Sequence, residues 1–386
     1  MTSTSTLEGL TALVFGGSGL TGHALLKVLV EYPSPTTFTR VIGLTNRPLS
    51  PDIAQLPRDE RLELYSGCDL LDYESSLMQL QHIAEIHNVT HVYYAAYAGH
   101  GSNYTELKRV NIRMLKTAVG AVEICCPDLR FITLNTGGKT YGVEFIPDVP
   151  YHPPLLETSP RIPEPYASHV FYYAQYDILS TASEGKSWQF CEIRPDGIVG
   201  FVPQNNAMNI AQGLGLFFSL YREMHGNGAE VQFPYGAKAW EALHTDSSSD
   251  ILGRFHVFAS LRPESVSGRA FNVCDGPAFT WRELWPKLAV YFGLKGTGPA
   301  AGGKEVIGLW VDKHKSRWEE YVARRGLKAR VLEATNYGFV DDVMGITFRR
   351  DLDSRARMEV GFTEQRDVFE GYRRAFDEMK KARIIP

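Results

Sequence analysis

Thr11-Ala-Leu-Val-Phe15-Gly16-Gly-Ser18-Gly19-Leu20-Thr-Gly22 decides the fold. Its first five residues are short, apolar and partly β-branched, as a buried strand requires, and they run straight into glycines. From Gly22 to Glu31 apolar residues recur at helical spacing. The glycines between fit GxxGxxG, and the pattern has a physical reason. The chain must turn sharply, the backbone must approach a pyrophosphate closely, and the helix must pack tightly on its strand with its N-terminus toward the phosphates. A ligand-free tight turn is the alternative. The strand–turn–helix context at the head of a β–α series points instead to a bound dinucleotide.

The same alternation continues outward. Residues 40–44, 61–65, 90–96, 129–134 and 188–193 read as strands, with helices over about 74–87 and 105–125 between them. Strands alternating with helices imply right-handed crossovers and a doubly wound parallel sheet, an α/β Rossmann-like fold. After about residue 200 the pattern changes. Residues 201–240 are rich in Gly, Asn and aromatics, and residues 281–386 read as mostly helical with a charged tail. The expected organisation is a nucleotide-binding domain over 1–200, with 241–275 returning to the sheet through the strand-like Ala270-Phe-Asn-Val-Cys274. A smaller, mostly helical substrate lobe is expected over 201–240 and 276–386.

Composition narrows the function classes. The 386 residues are 44% hydrophobic and 22% charged, which is ordinary for a globular chain, and the net charge of −4 offers no positive field to nucleic acid or an anionic membrane. The five cysteines are scattered without a CxxC pair, so neither a disulfide framework nor a zinc site is expected, and no metal is called for. The start, MTSTSTLEGL, has no basic region followed by an apolar core, and no apolar run reaches the ~18 residues of a membrane span. A soluble, cytoplasmic protein is expected.

The second strand decides which dinucleotide. An NAD site usually ends that strand with an acid for the ribose hydroxyl. Here it ends Leu44-Thr45-Asn46-Arg47-Pro48, with a base and no acid, so Arg47 is placed to meet a 2′-phosphate with Asn46 as its neighbour. NADPH/NADP+ is the expected cofactor. Asp69, after the third strand, suits an adenine amino group, or simply caps the turn that follows.

Two YxxxK pairs occur, at Tyr104/Lys108 and Tyr291/Lys295. The first precedes the fifth strand and the second lies far beyond the sixth, so both are expected on surfaces. Two other segments fit better. Leu134-Asn135-Thr-Gly-Gly-Lys139-Thr-Tyr141 lies just past the fifth strand, where open α/β sheets place their ligands. His169-Val-Phe-Tyr172-Tyr173-Ala-Gln-Tyr176-Asp177-Ile-Leu is helical by spacing and precedes the sixth strand. Spacing alone leaves open that the tyrosines are core and Lys139 a solvated loop residue.

At these residues the chain resembles the PRISE family (progesterone 5β-reductase/iridoid synthase-like), atypical short-chain dehydrogenases of the extended type. Thr136-Gly-Gly-Lys139-Thr-Tyr141 is similar to the family's TGxKxY segment. Phe171-Tyr172-Tyr173-Ala-Gln-Tyr176-Asp177-Ile-Leu is similar to its FYYxxEDIL segment. Arg194-Pro195-Asp-Gly-Ile198-Val-Gly-Phe201, Ala207-Met208-Asn209, Phe271-Asn272-Val-Cys-Asp275-Gly276 and the terminal Ala382-Arg-Ile-Ile-Pro386 extend the resemblance over nearly the whole chain. The family's paired arginines after the second strand become Asn46-Arg47, keeping one charge, and further departures fall elsewhere, several of them near the substrate. The family's VTW becomes Ala95-Ala96-Tyr97, its Glu before Asp177 becomes Tyr176, and its RPxN asparagine becomes Gly197.

What the resemblance implies is an NADPH-dependent reductase of α,β-unsaturated carbonyl compounds, acting on a small steroid- or terpenoid-like molecule or another secondary metabolite. Tyr172 and Lys139 take the catalytic roles. The cofactor set is Gly16, Ser18, Gly19, Leu20, Gly22, Asn46, Arg47, Asp69, Leu70, Ala96, Asn135, Lys139, Tyr172, Pro195, Ile198 and Met208. Tyr97, Phe145 and Met208 face the substrate, and the aromatic run Leu216–Tyr221 is either an apolar wall for it or ordinary core. Related enzymes suggest a homodimer. A carbonyl reductase or alcohol dehydrogenase with the same Tyr–Lys chemistry remains the alternative, and a non-catalytic NADP sensor a further one.

Overall fold

In the computed structural model, which describes residues 8–99, 103–204, 206–300 and 305–386, the opening motif forms β1 (Leu10–Phe15) and α1 (Leu20–Leu29) around the glycine turn. There follow β2 (Phe38–Thr45), α2 (Pro51–Ala54), β3 (Leu62–Ser66), α3 (Tyr73–His82), β4 (His91–Tyr94), α4 (Tyr104–Cys125), β5 (Phe131–Asn135), α5 (Phe171–Ser183) and β6 (Gln189–Pro195). The chain then runs through β7 (Gly197–Val199), α6 (Ile210–His225), β8 (Glu230–Gln232), α7 (Ala237–Glu241), β9 (Asp246–Ser248), α8 (Ser249–Ser260), α9 (Pro263–Val266) and β10 (Ala270–Val273). It ends with α10 (Trp281–Tyr291), β11 (Lys295–Thr297), α11 (Ile307–Arg325), α12 (Tyr337–Met344), α13 (Arg355–Glu359) and α14 (Val368–Lys381).

Two units emerge. The first holds residues 1–195, 252–273 and 353–363, and the second residues 196–251, 274–352 and 364–386. Among the described residues of the first, seven strands form one sheet in the order β10-β6-β5-β4-β1-β2-β3, every pair parallel. The order reverses beside β1, between β2 and β4. Ligands of open α/β sheets bind at that switch point, outside the carboxyl ends of the strands.

The period-2 pleat of β1 sends alternate residues to opposite faces. Ala12 and Val14 join Leu25, Leu26 and Leu29 of α1 in one buried cluster. Leu13 and Phe15 join Leu115, Val119 and Val122 of α4 and Leu179 of α5 in the other. Both faces of the strand are therefore covered, which is why it reads as an unbroken apolar run.

Two elements are shorter than their sequence suggests. The helix expected over 74–87 stops at His82, because Ile83 turns extended and, with Ile86, enters the cluster under the sheet. The strand expected over 90–96 pairs only at His91–Tyr94. Ala95 donates its N–H to Phe15 O and then leaves the ladder toward the glycine turn.

The second unit is built on an aromatic core: Phe217, Phe218, Phe233, Trp281, Trp285, Phe292, Trp318, Tyr372 and Phe376. Its small strands pair β8 with β11 and β7 with β9. The five cysteines are free and buried in the two units. Among the described residues no helix is long and apolar enough to cross a membrane, and no group of His, Cys, Asp or Glu is arranged to hold a metal ion.

Candidate active site

The glycine turn is a cradle that side chains would fill. Gly16 has φ +85°, and a Cβ there would stand 2.7 Å from Ala95 O. A Cβ on Gly22 would run into the Gly16 carbonyl oxygen. Gly16 and Gly17 both donate N–H to Leu44 O, at 3.1 and 3.0 Å, which ties the turn to the end of β2. At the N-terminus of α1, Gly19 supplies no capping side chain and the first turn carries no acid. Gly19 N–H closes the turn onto Gly16 O at 2.9 Å, and the helix start at Ser18 and Leu20 keeps N–H groups for an anion. These residues fit the pyrophosphate of a dinucleotide.

Asn46 and Arg47 follow β2 on exposed backbone. The loop after β3 is stitched to them: Gly67 N–H donates to Asn46 O at 3.2 Å, and Cys68 N–H to Thr45 O at 3.0 Å. Asp69 Oδ1 accepts from Leu71 N at 3.0 Å, so this side chain shapes its own turn, while Leu70 is buried beneath. Arg47 and the Asp69 turn thus stand beside the same strand ends.

The catalytic candidates come together past the ends of β4, β5 and β6. Lys139 sits in the 3-10 turn Gly138–Tyr141, and Tyr172 in the first turn of α5. The Tyr172 hydroxyl points at the β5 end: it lies 3.7 Å from where a Cβ would stand on Gly137, a point also 3.5 Å from Pro195 O. Tyr97 belongs to the same patch, its ring stacked 6.1 Å from Phe171, which in turn lies 4.3 Å from Tyr172. Burial pushes the Tyr172 phenol above its ordinary value, and Tyr97, Glu144 and Glu192 add to the shift. Lys139 Nζ donates to Glu144 Oε1 at 2.7 Å. Burial works against its charge, yet Glu144, Tyr97 and Tyr104 outweigh burial and the ammonium titrates above its ordinary value. Tyr97 and Glu144 act on both the phenol and the ammonium.

Phe145 is buried in a cluster with Val149, Ile162, Val170 and Tyr173, against which Tyr104, Tyr166 and Tyr172 pack. Tyr104, expected on a surface, stacks on His169 at 5.0 Å and meets Phe145 at 5.3 Å. Reading its YxxxK spacing against the wrong partner hid this, because Lys108 instead donates to Ser168 O. In the other pair, also expected on a surface, Lys295 is exposed and donates to Glu230, whereas Tyr291 is half-buried against the aromatic core and donates to Asp377.

Beneath the Lys139 turn runs a buried polar network, of which sequence reading gives the bracing role of Arg194 but not Glu192. Glu192, 1% exposed, accepts from Thr136 Oγ1 and from Arg194 Nη2, each at 2.7 Å. Arg194 also donates to Tyr141 Oη at 3.3 Å, and Tyr141 donates to Asn272 Oδ1 at 2.6 Å. Arg194 therefore braces the strand ends. Asn135 meets His256 Nε2 at 3.3 Å, a histidine that burial pushes down to about 3. An acid at Glu192, inside an apolar strand, was the available signal.

Two expected site residues lie in the second unit: Ile198 in β7 and Met208 ahead of α6, where its N–H donates to Asn206 Oδ1 at 2.9 Å. The run Leu216–Tyr221 is core there, with Leu216, Phe217, Phe218 and Leu220 all buried in the aromatic cluster.

Residues 12–386 match the family described as the PRISE-like Rossmann-fold domain. The chain is 36% identical over 391 residues to the short chain dehydrogenase ausT of Aspergillus calidoustus, covering 97% of this chain and 94% of that protein. It is 30% identical over 382 residues to the 3-oxo-Δ(4,5)-steroid 5-beta-reductase of Arabidopsis thaliana, covering 97% and 93%. Among solved structures it is similar to the Bordetella bronchiseptica enzyme WbmH in complex with NAD+, with a TM-score of 0.60 at 15% identity over 96% of this chain and 99% of that one. That last likeness is one of fold.

Proposed function

The chain belongs to the family of PRISE-like Rossmann-fold domains, and from that premise we propose that it is an oxidoreductase of the short-chain dehydrogenase type that reduces α,β-unsaturated carbonyl compounds with NADPH. Relatives named as a short chain dehydrogenase and as a steroid 5-beta-reductase, each covering nearly all of the chain, support the reductase class. The observation that carries the finer reading is that Tyr97 and Glu144 act on both the half-buried Tyr172 phenol and the Lys139 ammonium, past the ends of β4 and β5.

When bound, the nicotinamide supplies a hydride to the β-carbon of the substrate. Negative charge then develops on the carbonyl oxygen, and a solvent proton taken up at the α-carbon completes the saturated carbonyl. The Tyr172 hydroxyl donates a hydrogen bond to that oxygen, and its raised pKa keeps it a neutral donor at physiological pH. Lys139 adds positive charge nearby and, as an ammonium with three donors of which one goes to Glu144, keeps two for a ribose hydroxyl or the substrate. Gly16, Gly19 and Gly22 seat the pyrophosphate, with Arg47 and Asn46 selecting the 2′-phosphate. Tyr97 and Phe145 supply apolar wall.

The test is nucleotide oxidation with a panel of a cyclic enone, a Δ4-3-ketosteroid and an acyclic terpenoid enal, with each product identified and Tyr172→Phe alongside. A saturated carbonyl product, lost by about 10²–10³-fold in the variant while nucleotide still binds, is the expected result. Allylic alcohol as product moves the chain to the carbonyl reductases, and full activity in Tyr172→Phe removes that residue from the mechanism.

A further inference from the structure

We propose that Glu144 is a positioning residue, whose carboxylate fixes the Lys139 ammonium against the aromatic patch where Tyr172 acts. The proposal rests on the reading of Lys139 and Tyr172 given above, and it assigns Glu144 a part in the site that no residue pattern announces.

A lysine is a point charge on a flexible four-carbon stem, so an unanchored ammonium samples many positions and dilutes its effect at any one of them. Here the anchor comes from the same loop. The chain makes the 3-10 turn Gly138–Tyr141, reverses at Gly142 with φ +74°, and makes a second turn, Val143–Phe145. Glycine is needed for that reversal, because φ is positive and a Cβ on Gly142 would stand 2.9 Å from Ile162 Cγ2. It returns Glu144 alongside Lys139, with Nζ and Oε1 at 2.7 Å. Phe145, the next residue, is buried among Val149, Ile162, Val170 and Tyr173, so the turn bearing Glu144 is pinned from below.

Besides Glu144, the groups that act on Lys139 come from two other elements. Tyr97 follows β4, and Tyr104 opens α4 and stacks on His169; Tyr172 opens α5 beside Phe171, on which Tyr97 stacks. Phenols and an imidazole offer no fixed countercharge near neutral pH; Glu144 does. With it in place the ammonium persists above its ordinary range, and without it burial is opposed only by the smaller effects of Tyr97 and Tyr104. Glu144 therefore sets the upper pH limit at which Lys139 still presents positive charge.

The experiment uses the full chain, reductively methylated with a carbon-13 label, with the Lys139 resonance assigned by its absence in Lys139→Arg. Its titration is followed in wild type, Glu144→Gln and Glu144→Asp, and turnover against pH is recorded in parallel on the unmethylated proteins. The expected result is a Lys139 midpoint displaced to lower pH in Glu144→Gln and returned toward wild type in Glu144→Asp. The alkaline limb of kcat moves the same way, and Tm is unchanged. A midpoint that stays put in Glu144→Gln overturns the proposal, as does an activity loss uniform across pH. If instead Lys139→Arg and Tyr172→Phe keep wild-type turnover, the reading of the active site fails, whatever the titration shows.

Discussion

The Tyr172 hydroxyl lies 3.7 Å from the point at which a side chain would begin on Gly137. The relationship joins the first turn of α5 to the end of β5, and it means that space in front of the phenol is kept open by the lack of a methyl group. Gly137 has extended backbone, φ 163° and ψ −176°, which any residue adopts. Gly137→Ala is therefore expected to fold with an unchanged Tm while losing turnover, because the new methyl stands where a substrate oxygen must approach. Thermal melts and steady-state kinetics on the same preparation check both halves.

Gly22→Ala should act differently. Its methyl meets the Gly16 carbonyl oxygen, so the turn and α1 must move apart. Overpacking of this kind costs about 1–3 kcal/mol, and it deforms the pyrophosphate cradle as well. A lowered denaturation midpoint together with lost nucleotide binding, read by nucleotide fluorescence, is the expected outcome.

Arg47→Ala should weaken NADPH by roughly 10–100-fold, the size of one charged hydrogen bond, and leave NADH nearly unaffected. Comparing KM for the two nucleotides decides the point. Equal losses for both would place Arg47 outside the 2′-phosphate site.

The Glu192–Arg194 pair is buried, with side-chain exposures of 2% and 12%. Removing one member of such a pair strands the other, at a cost of about 3–5 kcal/mol. Arg194→Met is thus expected to be strongly destabilising in urea titrations, and to remove the Arg194 hydrogen bond to Tyr141 at the base of the Lys139 turn.

In the second unit, Asp275 accepts from Ser248 N and Ser248 Oγ, both at 2.6 Å, yet burial pushes its carboxyl from 3.8 up to about 7. Because the folded state holds this proton more tightly than the unfolded state, the contribution is stabilising at acid pH. It is lost as pH rises through the window from 3.8 to about 7. Asp275→Asn should flatten that dependence. Melting temperature against pH for the two proteins is the measurement.

Much of this was legible in one dimension, because the signals are local. An apolar β-branched run ending in GxxGxxG and a helical repeat is enough to announce β1, the turn and α1, since each requirement is met by neighbours in the chain. Arg47 in place of an acid, and Lys139 just past β5, could be read the same way. Boundaries were less legible. Whether α3 ran past His82 depended on Ile83 and Ile86 finding the cluster beneath the sheet, a contact with residues far away in sequence.

Three-dimensional packing alone decided the rest. Tyr104 and Lys108 share a spacing that resembles a catalytic pair, but Tyr104 stacks on His169 and Lys108 reaches Ser168. The run Leu216–Tyr221 suited a substrate wall or a core equally well, and its burial among Trp285, Phe292 and Phe376 made it core. Glu144 and Glu192 carried no motif. Their importance comes from a reversal at Gly142 and from the pairing of β5 with β6, which set carboxylates beside Lys139 and Thr136. Charge acts through space at a few ångströms, and only the folded chain determines which charges stand that close.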